Sequence, residues 1–403
     1  MSRNSRTLNS SAILSEPGDF SLVLGGPLYQ LWRRLHAAGP AMELLARRVI
    51  SLSLLAWLPL LVLTAYEGLA IGAAVTVPFL HDLEVHARFL VGVPLLLVAE
   101  VIAHRRIKPV VRHFVDAGIV TPAVLPGFRA AIDRAVRLRN SLAIELLLAV
   151  AVFGFGWMLW KGLGGLTTST WYASVGPSGK SLTLAGQWYG HVSNPIFQFL
   201  LLRWYFRLLV WFVFLRRVSR LDLYLTPTHP DRAGGLGFLA SAPSAFAPVI
   251  LAQSTFLAGF IAARILFHNM TLQAFQYEIA TFLVLQLLVV LGPLFVFAPT
   301  LLALKRRGRL EYGSLAVRYT QEFHEKWISG AAPPGEPLVG SGDIQSLADL
   351  ANSYEVVGGM RAVPFGRDTI IQLAVPALIP FAPLLLTVIP ADELLKSLLG
   401  ILL

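Results

Sequence analysis

The 403-residue chain contains no cysteine and few charged residues. The lack of cysteine excludes a disulfide framework, a thiolate nucleophile and a cysteine-ligated metal site. Charged residues make up 14% of the chain and hydrophobic residues 55%, whereas about 25% of a soluble globular chain is charged. This composition predicts an all-α polytopic bundle of membrane-spanning helices rather than a soluble domain.

Acidic residues are scarcer than basic ones, 23 against 33, which gives a formal net charge of +10. A basic chain can bind nucleic acid. Here the lysines and arginines lie beside apolar runs, where such residues orient helices and contact anionic lipid at the cytoplasmic face. We therefore expect the lipid bilayer as a partner and no nucleic acid, and the sequence predicts no cofactor and no metal ion.

Seven apolar runs are long enough to cross a bilayer. Of the 33 lysines and arginines, 26 fall in connections that lie on one side if every run spans. The positive-inside rule then predicts a cytoplasmic N-terminus and an external C-terminus. The runs lie at about 49–71, 85–103, 141–163, 195–216, 244–267, 278–304 and 369–390.

The runs divide the chain into four predicted parts. The third part contains two predicted helices, at 309–328 and from 341 or 343 to 357, which together are too small for an enzyme domain. The parts are a cytoplasmic tail with an interfacial amphipathic helix at 27–50 (1–48), a six-helix membrane region (49–304), a cytoplasmic helical connection (305–368), and a proline-rich seventh span with an interfacial C-terminal helix (369–403).

The fourth run contains two arginines, Arg203 and Arg207, one helical turn apart. At 1.5 Å per residue, Arg203 lies roughly 12 Å from one end of the run and about 20 Å from the other. An arginine at that depth costs about 2.5–3.5 kcal/mol, so it normally has a partner or faces water. It indicates either an ion pathway or a buried ion pair that fixes helix packing. No acidic residue is expected at the depth of Arg203, and an unpaired Arg203 facing a cavity would be an anion site.

The other charges inside the runs form an inner and an outer group. In the inner group we predict that Arg207 pairs with Glu145 or Glu100. In the outer group we expect the arginine to pair with one of the two acids, the members being Glu67, Arg264 and Glu278.

Prolines interrupt the last two runs. The seventh run contains Pro376, Pro380 and Pro383 on one helix face, and the sixth contains Pro293 and Pro299. Each proline removes a backbone hydrogen bond and kinks a helix. Broken helices mark binding sites in many transporters, although prolines are also common in membrane helices generally.

A polar loop, Thr-Pro-Thr-His-Pro-Asp-Arg-Ala-Gly-Gly-Leu-Gly at 226–237, follows the fourth run. Its prolines and glycines predict a fixed backbone path. His229, Asp231 and Arg232 could hold a phosphate or a lipid head group, but one histidine and one aspartate are too few for a metal site. The alternative is a rigid turn whose polar groups cap neighbouring helices.

A short acidic and histidine-containing segment, His81, Asp82, Glu84 and His86, precedes the second run. Asp82 and His86 would share a helix face, so a divalent ion is conceivable. We favour the alternative that the acids stabilise the start of the second helix through its macrodipole.

The second half of the chain resembles a group of bacterial multi-pass inner-membrane proteins without an assigned activity. The resemblance rests on His-Pro-Asp-Arg-Ala-Gly-Gly-Leu-Gly-Phe at 229–238 and on the segments that begin at Lys305 and Gly340, and it covers about residues 190–403. It implies a multi-pass inner-membrane protein and assigns no functional residue.

Three functions fit these observations. The first is a channel or transporter for a small ion or anionic solute, with Arg203 and Arg207 along the path. The second is a scaffold or accessory subunit that binds a partner or a second copy through 305–368. The third is a lipid-acting enzyme that uses the polar loop. We favour the first two, neither of which is an enzyme.

Overall fold

The computed structural model describes residues 20–23, 25, 45–72, 75–156, 170–176 and 179–387. These residues are almost entirely helical, which confirms the predicted all-α membrane bundle. The interfacial helix predicted at 27–50 lies mostly outside the described residues, and the predicted C-terminal interfacial helix lies wholly outside them.

Nine helices and one hairpin account for most of the described residues, together with a single 3-10 turn at Phe79–His81. Several helices include 3-10 or π turns. The helices are α1 Leu45–Tyr66, α2 Leu83–Asp116, α3 Leu125–Arg139, α4 Leu142–Val150 with a π turn at Ala151–Gly156, α5 Leu184–Val218, α6 Gly237–His268, α7 Leu272–Ile328, α8 Gly342–Gly358 and α9 Arg367–Thr387. The antiparallel hairpin joins β1 Ala173–Gly176 to β2 Gly179–Leu182.

In the described part of the chain, six helices are long and apolar enough to cross a membrane, namely α1, α2, α5, α6, α7 and α9. They correspond to six of the seven predicted spans. The third predicted span begins as α4, whose side chains Leu146, Leu147 and Val150 are exposed as expected of a lipid-facing surface. The remainder of that span falls outside the described residues, so its full length stays a prediction.

Helices α2 and α5 form the centre of the bundle. Helix α2 packs against α1 and α6, α3 packs along α5, and α9 packs against α6. Helices within lipid gain no hydrophobic free energy by associating, so their association depends on close packing, which small residues at the contacts allow. Gly259 of α6 shows this, because a Cβ there would lie 2.8 Å from the Ala87 Cβ and 3.0 Å from the Leu83 carbonyl oxygen.

The predicted interruptions by proline are confirmed. Helix α7 changes to 3-10 geometry at Gly292–Phe297, and α9 does so at Ile379–Thr387. After its break, α7 returns to α geometry and extends well beyond the apolar region. The helix predicted at 309–328 is therefore a continuation of the sixth span. The second predicted helix is α8, whose N-cap is Ser341.

The close contact at Gly259 predicts that Gly259→Ala destabilises the protein. The added methyl group should cost about 1–3 kcal/mol because it overpacks the α2–α6 interface. The measurement is the Tm of the purified protein in detergent.

The matched control is Gly292→Ala, because nothing lies within 4 Å of a Cβ at that position. Alanine restricts the unfolded chain more than glycine does, so this variant should be as stable as the wild type or slightly more so. Equal Tm values for the two variants would contradict the prediction.

Candidate functional site

Five charged side chains from four helices meet inside the bundle and form what we call the central cluster. Each is at most 10% exposed. Glu100 lies about 7 Å along α2 from Arg105, near the arginine-rich end of the bundle. The members are Arg48 of α1, Glu100 of α2, Glu145 of α4, and Arg203 and Arg207 of α5.

Glu100 joins the members of the central cluster. Its Oε2 accepts a hydrogen bond from Arg48 Nη2 at 2.7 Å. Its Oε1 accepts from Arg207 Nη2 at 2.7 Å and from Arg203 Nη1 at 3.1 Å. Arg203 also places its Nε 3.6 Å from Glu145 Oε1. One carboxylate therefore binds three guanidinium groups, and a second carboxylate lies beside one of them.

The predicted pair between Arg207 and Glu100 is confirmed. The expectation that Arg203 has no acid at its depth is wrong, because Arg203 contacts Glu100 and Glu145. The two arginines lie one helical turn, about 5.4 Å, apart. A carboxylate between them reaches both, which depths counted from the helix ends did not reveal.

A further arginine, Arg139 at the end of α3, adjoins the central cluster. Its side chain is buried, and it ends the apolar stripe of α3. Burial, and then the charge of Arg207, lowers the pKa of Arg139 to about 10, so its guanidinium remains charged at neutral pH. In the described part of the chain, the central cluster and Arg139 comprise four arginines and two glutamates.

Residues 20–23 and 25, which we call the cap segment, cover this region. Phe20 stacks on Phe214 with 5.1 Å between the ring centroids. The Ser21 carbonyl accepts a hydrogen bond from Arg139 Nη1, and its hydroxyl lies 3.0 Å from His104 Nδ1. Phe20, Leu22 and Val23 are at most 2% exposed.

Sequence reasoning missed three of these groups. Arg48 and Arg139 were counted among the connection charges, and the cap segment was assigned to the tail. The signals were present, because Arg139 continues the apolar stripe of α3 and Arg48 lies on the buried face of α1 with Ser53 and Ala56.

A second site is formed by another buried arginine, Arg88, toward the other end of α2. Its Nη1 donates to Tyr189 Oη at 2.5 Å and to Asn194 Oδ1 at 2.8 Å. Its Nη2 forms an ion pair with Glu84. Its guanidinium lies 4.4 Å from the centroid of the Phe256 ring. Arg88 thus connects α2 to α5.

The predicted outer pair does not form. Arg264 lies over the Phe260 ring at 4.6 Å, and within the described chain neither Glu67 nor Glu278 is within 4 Å of its guanidinium. Glu67 instead accepts hydrogen bonds from the first backbone N–H groups of α5, including Leu184 N at 2.9 Å. A carboxylate at a helix N-terminus is stabilised by the unpaired N–H groups and the macrodipole.

The polar loop is a fixed turn centred on Asp231. The Asp231 carboxylate accepts from the backbone N–H groups of Ala233 and Gly237, both at 2.7 Å, and of Gly235 at 3.2 Å. His229 Nδ1 lies 2.9 Å from Asp231 Oδ1. Arg232 has a positive φ of 53°, and its carbonyl accepts from Arg361 N at 2.7 Å. This geometry favours the rigid-turn interpretation over a ligand site.

The His81–His86 segment also serves the fold. Asp82 caps α2 by accepting from Val85 N at 3.2 Å, and it accepts from Trp171 Nε1 at 2.8 Å. His86 Nδ1 accepts from Trp57 Nε1 at 2.9 Å. The acid at the helix start is thus confirmed, and in the described ranges no group of three or more histidine, aspartate or glutamate side chains could hold a metal ion.

No protein-family model, curated protein or solved structure matches the chain. The resemblance of its second half to bacterial inner-membrane proteins therefore stays a prediction. The function has to be inferred from the geometry of the site.

Replacing Glu100 should destabilise the protein, because it disrupts the central cluster. Glu100→Gln leaves three buried guanidinium groups without the carboxylate that binds them, and breaking a buried ion pair typically costs about 3–5 kcal/mol. The measurement is the Tm in detergent. The matched control is Glu311→Gln, which breaks an exposed pair with Arg307 and should leave the Tm unchanged. A Glu100→Gln protein as stable as the control would show that the carboxylate is dispensable.

Asp231 should make stability depend on pH. Burial raises the pKa of Asp231, but the hydrogen bonds from Ala233, Gly237 and Gly235 outweigh burial and hold it below its usual value. The ionised group therefore stabilises the fold above its unfolded pKa of about 3.9, and this contribution is lost as the pH falls through the lower folded pKa.

The test compares Tm values at pH about 7 and about 3. Asp231→Asn should lower the Tm at neutral pH, and its deficit relative to the wild type should shrink in acid. Asp349→Asn, which removes an exposed carboxylate on α8, is the control and should show neither effect. A deficit of Asp231→Asn that is the same at both pH values would refute the role of the ionised carboxylate.

Proposed function

We propose that this integral membrane protein is a channel or transporter for a small anion, which binds at the central cluster. The proposal includes a bacterial inner-membrane location with a cytoplasmic N-terminus, as the charge distribution predicts. The observation that supports it is that three guanidinium groups of the described chain surround the single carboxylate of Glu100 inside the bundle. Guanidinium groups gathered at one point in a membrane bundle are suited to bind an anion.

The hydrogen-bond donors of the central cluster also support an anion site. A guanidinium carries five N–H donors, so Arg203 and Arg207 together carry about ten. In the described residues each of these arginines donates one hydrogen bond, to Glu100 Oε1. Further acceptors can therefore bind at the same two guanidinium groups. A small anion accepts several such bonds at once and also supplies negative charge.

The cap segment suggests how access is controlled. Its Ser21 carbonyl already serves as a neutral acceptor for Arg139, and its apolar side chains pack over the arginine-rich end. Withdrawal of the cap segment would expose Arg139 and give an anion a route to the central cluster. The cap segment is thus proposed to be the closed gate of the path.

A scaffold function is the second candidate. The observation in its favour is that the extension of α7 and the adjoining α8 carry exposed apolar side chains, including Leu310, Val317 and Ile344. Such side chains suit a protein partner or a second copy. The lipid-enzyme hypothesis has weaker support, because Asp231 is engaged by three backbone N–H groups.

The first test is anion flux in proteoliposomes. Chloride, nitrate and phosphate efflux should exceed that from empty liposomes, and Arg203→Gln should lower the flux about tenfold or more or change its order of selectivity. Arg112→Gln is the matched control, because Arg112 is exposed and pairs with Asp116. Absence of flux from folded protein would favour the scaffold function. Equal flux from both variants would exclude Arg203 from the anion path.

The gate is tested by truncation. Removing residues 1–25 takes away the cap segment and should raise the anion flux several-fold, because Arg139 and the central cluster become accessible. Removing residues 1–18 leaves the cap segment in place and should have no effect. A truncation at residue 25 that conducts no faster than the control truncation would exclude this gate.

A further inference from the structure

A cavity of about 520 Å³ lies between the end of α5 and the first half of α3. Three arginines of one short segment line it, two adjacent in sequence and the third one helical turn further on. The remaining lining residues are small or apolar, and none is acidic. The lining consists of Arg216, Arg217, Arg220, Gly127, Ala130, Ala131, Val213 and Leu221.

The three arginines are exposed at the cavity and, unlike Arg112, have no carboxylate within ion-pair distance in the described chain. Arg112 and Arg307 on the surface pair with acids one turn away, and the buried arginines of the central cluster share Glu100. For Arg216, Arg217 and Arg220, no acidic oxygen of the described chain lies within 4 Å. Three unneutralised positive charges around a concave site are what recognition of a phosphate requires.

The position of the cavity indicates which kind of phosphate compound it binds. Arg216 and Arg217 lie in the last turn of the membrane-spanning helix α5, and Arg220 follows the helix, whereas Val213 lies one turn further into the span. A site with a cationic rim and an apolar interior at the membrane surface suits a lipid, whose phosphate lies at the interface and whose chains enter the bilayer. Basic pockets between membrane helices on the cytoplasmic side bind such head groups.

We propose that Arg216, Arg217 and Arg220 bind the phosphate of an anionic phospholipid in the cavity between α3 and α5. The guanidinium groups contact the phosphate oxygens, and Val213, Leu221 and the alanines of α3 contact the glycerol and the first methylenes. The lipid then joins α3 to α5. This site is independent of anion transport.

The test is native mass spectrometry and binding titration with the full-length protein in detergent. The probes are phosphatidylglycerol, phosphatidylcholine and inorganic phosphate. The wild type should retain phosphatidylglycerol and bind it more tightly than phosphatidylcholine. The triple variant Arg216→Gln, Arg217→Gln, Arg220→Gln should weaken phosphatidylglycerol binding about tenfold or more, since each lost contact removes a charge-assisted hydrogen bond.

A matched triple variant distinguishes binding at the cavity from general electrostatic attraction to the basic surface. Arg129→Gln, Arg134→Gln and Arg137→Gln remove the same charge from exposed positions on α3 that do not line the cavity. This variant should bind phosphatidylglycerol like the wild type. Equal losses in the two triple variants would overturn the proposal, because they would indicate attraction to the whole basic surface.

Two further arms complete the test. Ala130→Trp keeps every charge but fills the cavity, and it should also lose phosphatidylglycerol, which covers the case of a triple variant that does not fold. Inorganic phosphate that binds the arginines while phosphatidylglycerol does not would assign the site to a soluble phosphate and overturn the lipid assignment. Equal binding of phosphatidylcholine and phosphatidylglycerol would overturn the requirement for an anionic lipid.

Discussion

The fold depends on the requirement that a charge placed inside a membrane has a partner there. Glu100 meets this requirement for three arginines at once, one on α1 and two on α5. Each of these helices can pack against α2 only in the position that brings its guanidinium to this carboxylate. One side chain therefore fixes how far α1 and α5 are displaced along α2. Arg203 extends this constraint to α4 through its contact with Glu145.

The same principle operates a second time along the contact between α2 and α5. Arg88 binds Tyr189 and Asn194 toward one end, and Glu100 binds Arg203 and Arg207 toward the other. The two anchor points are twelve residues apart on α2, about 18 Å. Two helices joined at both levels cannot slide past each other. Between these levels, Gly92 of α2 allows close packing, because a Cβ there would lie 3.0 Å from the ring of Phe197 on α5.

Much of this architecture could be predicted from the sequence, because long apolar runs and flanking arginines follow directly from the bilayer. The pair Arg207–Glu100 was also predictable from depth. Depth could not reveal that one carboxylate lies between two arginines a turn apart, nor that Glu67 caps a helix and leaves Arg264 on an aromatic ring. Those outcomes depend on which face each helix presents, and only the packed bundle determines this. For Arg48 and Arg139, the sequence contains only a weak indication of burial, namely that each lies on the same helix face as the small or apolar residues of α1 and α3.

The two buried arginine sites differ in a way that bears on function. At Arg88, Glu84 forms an ion pair with the guanidinium, and the neutral oxygens of Tyr189 and Asn194 accept two further hydrogen bonds. This ion pair joins one carboxylate to one guanidinium within α2. The central cluster instead gathers three guanidinium groups around the carboxylate of Glu100, and the neutral Ser21 carbonyl binds the adjoining Arg139. An anchor requires only one ion pair for each arginine. The sharing of one carboxylate by three arginines is therefore the feature on which the proposed anion binding rests.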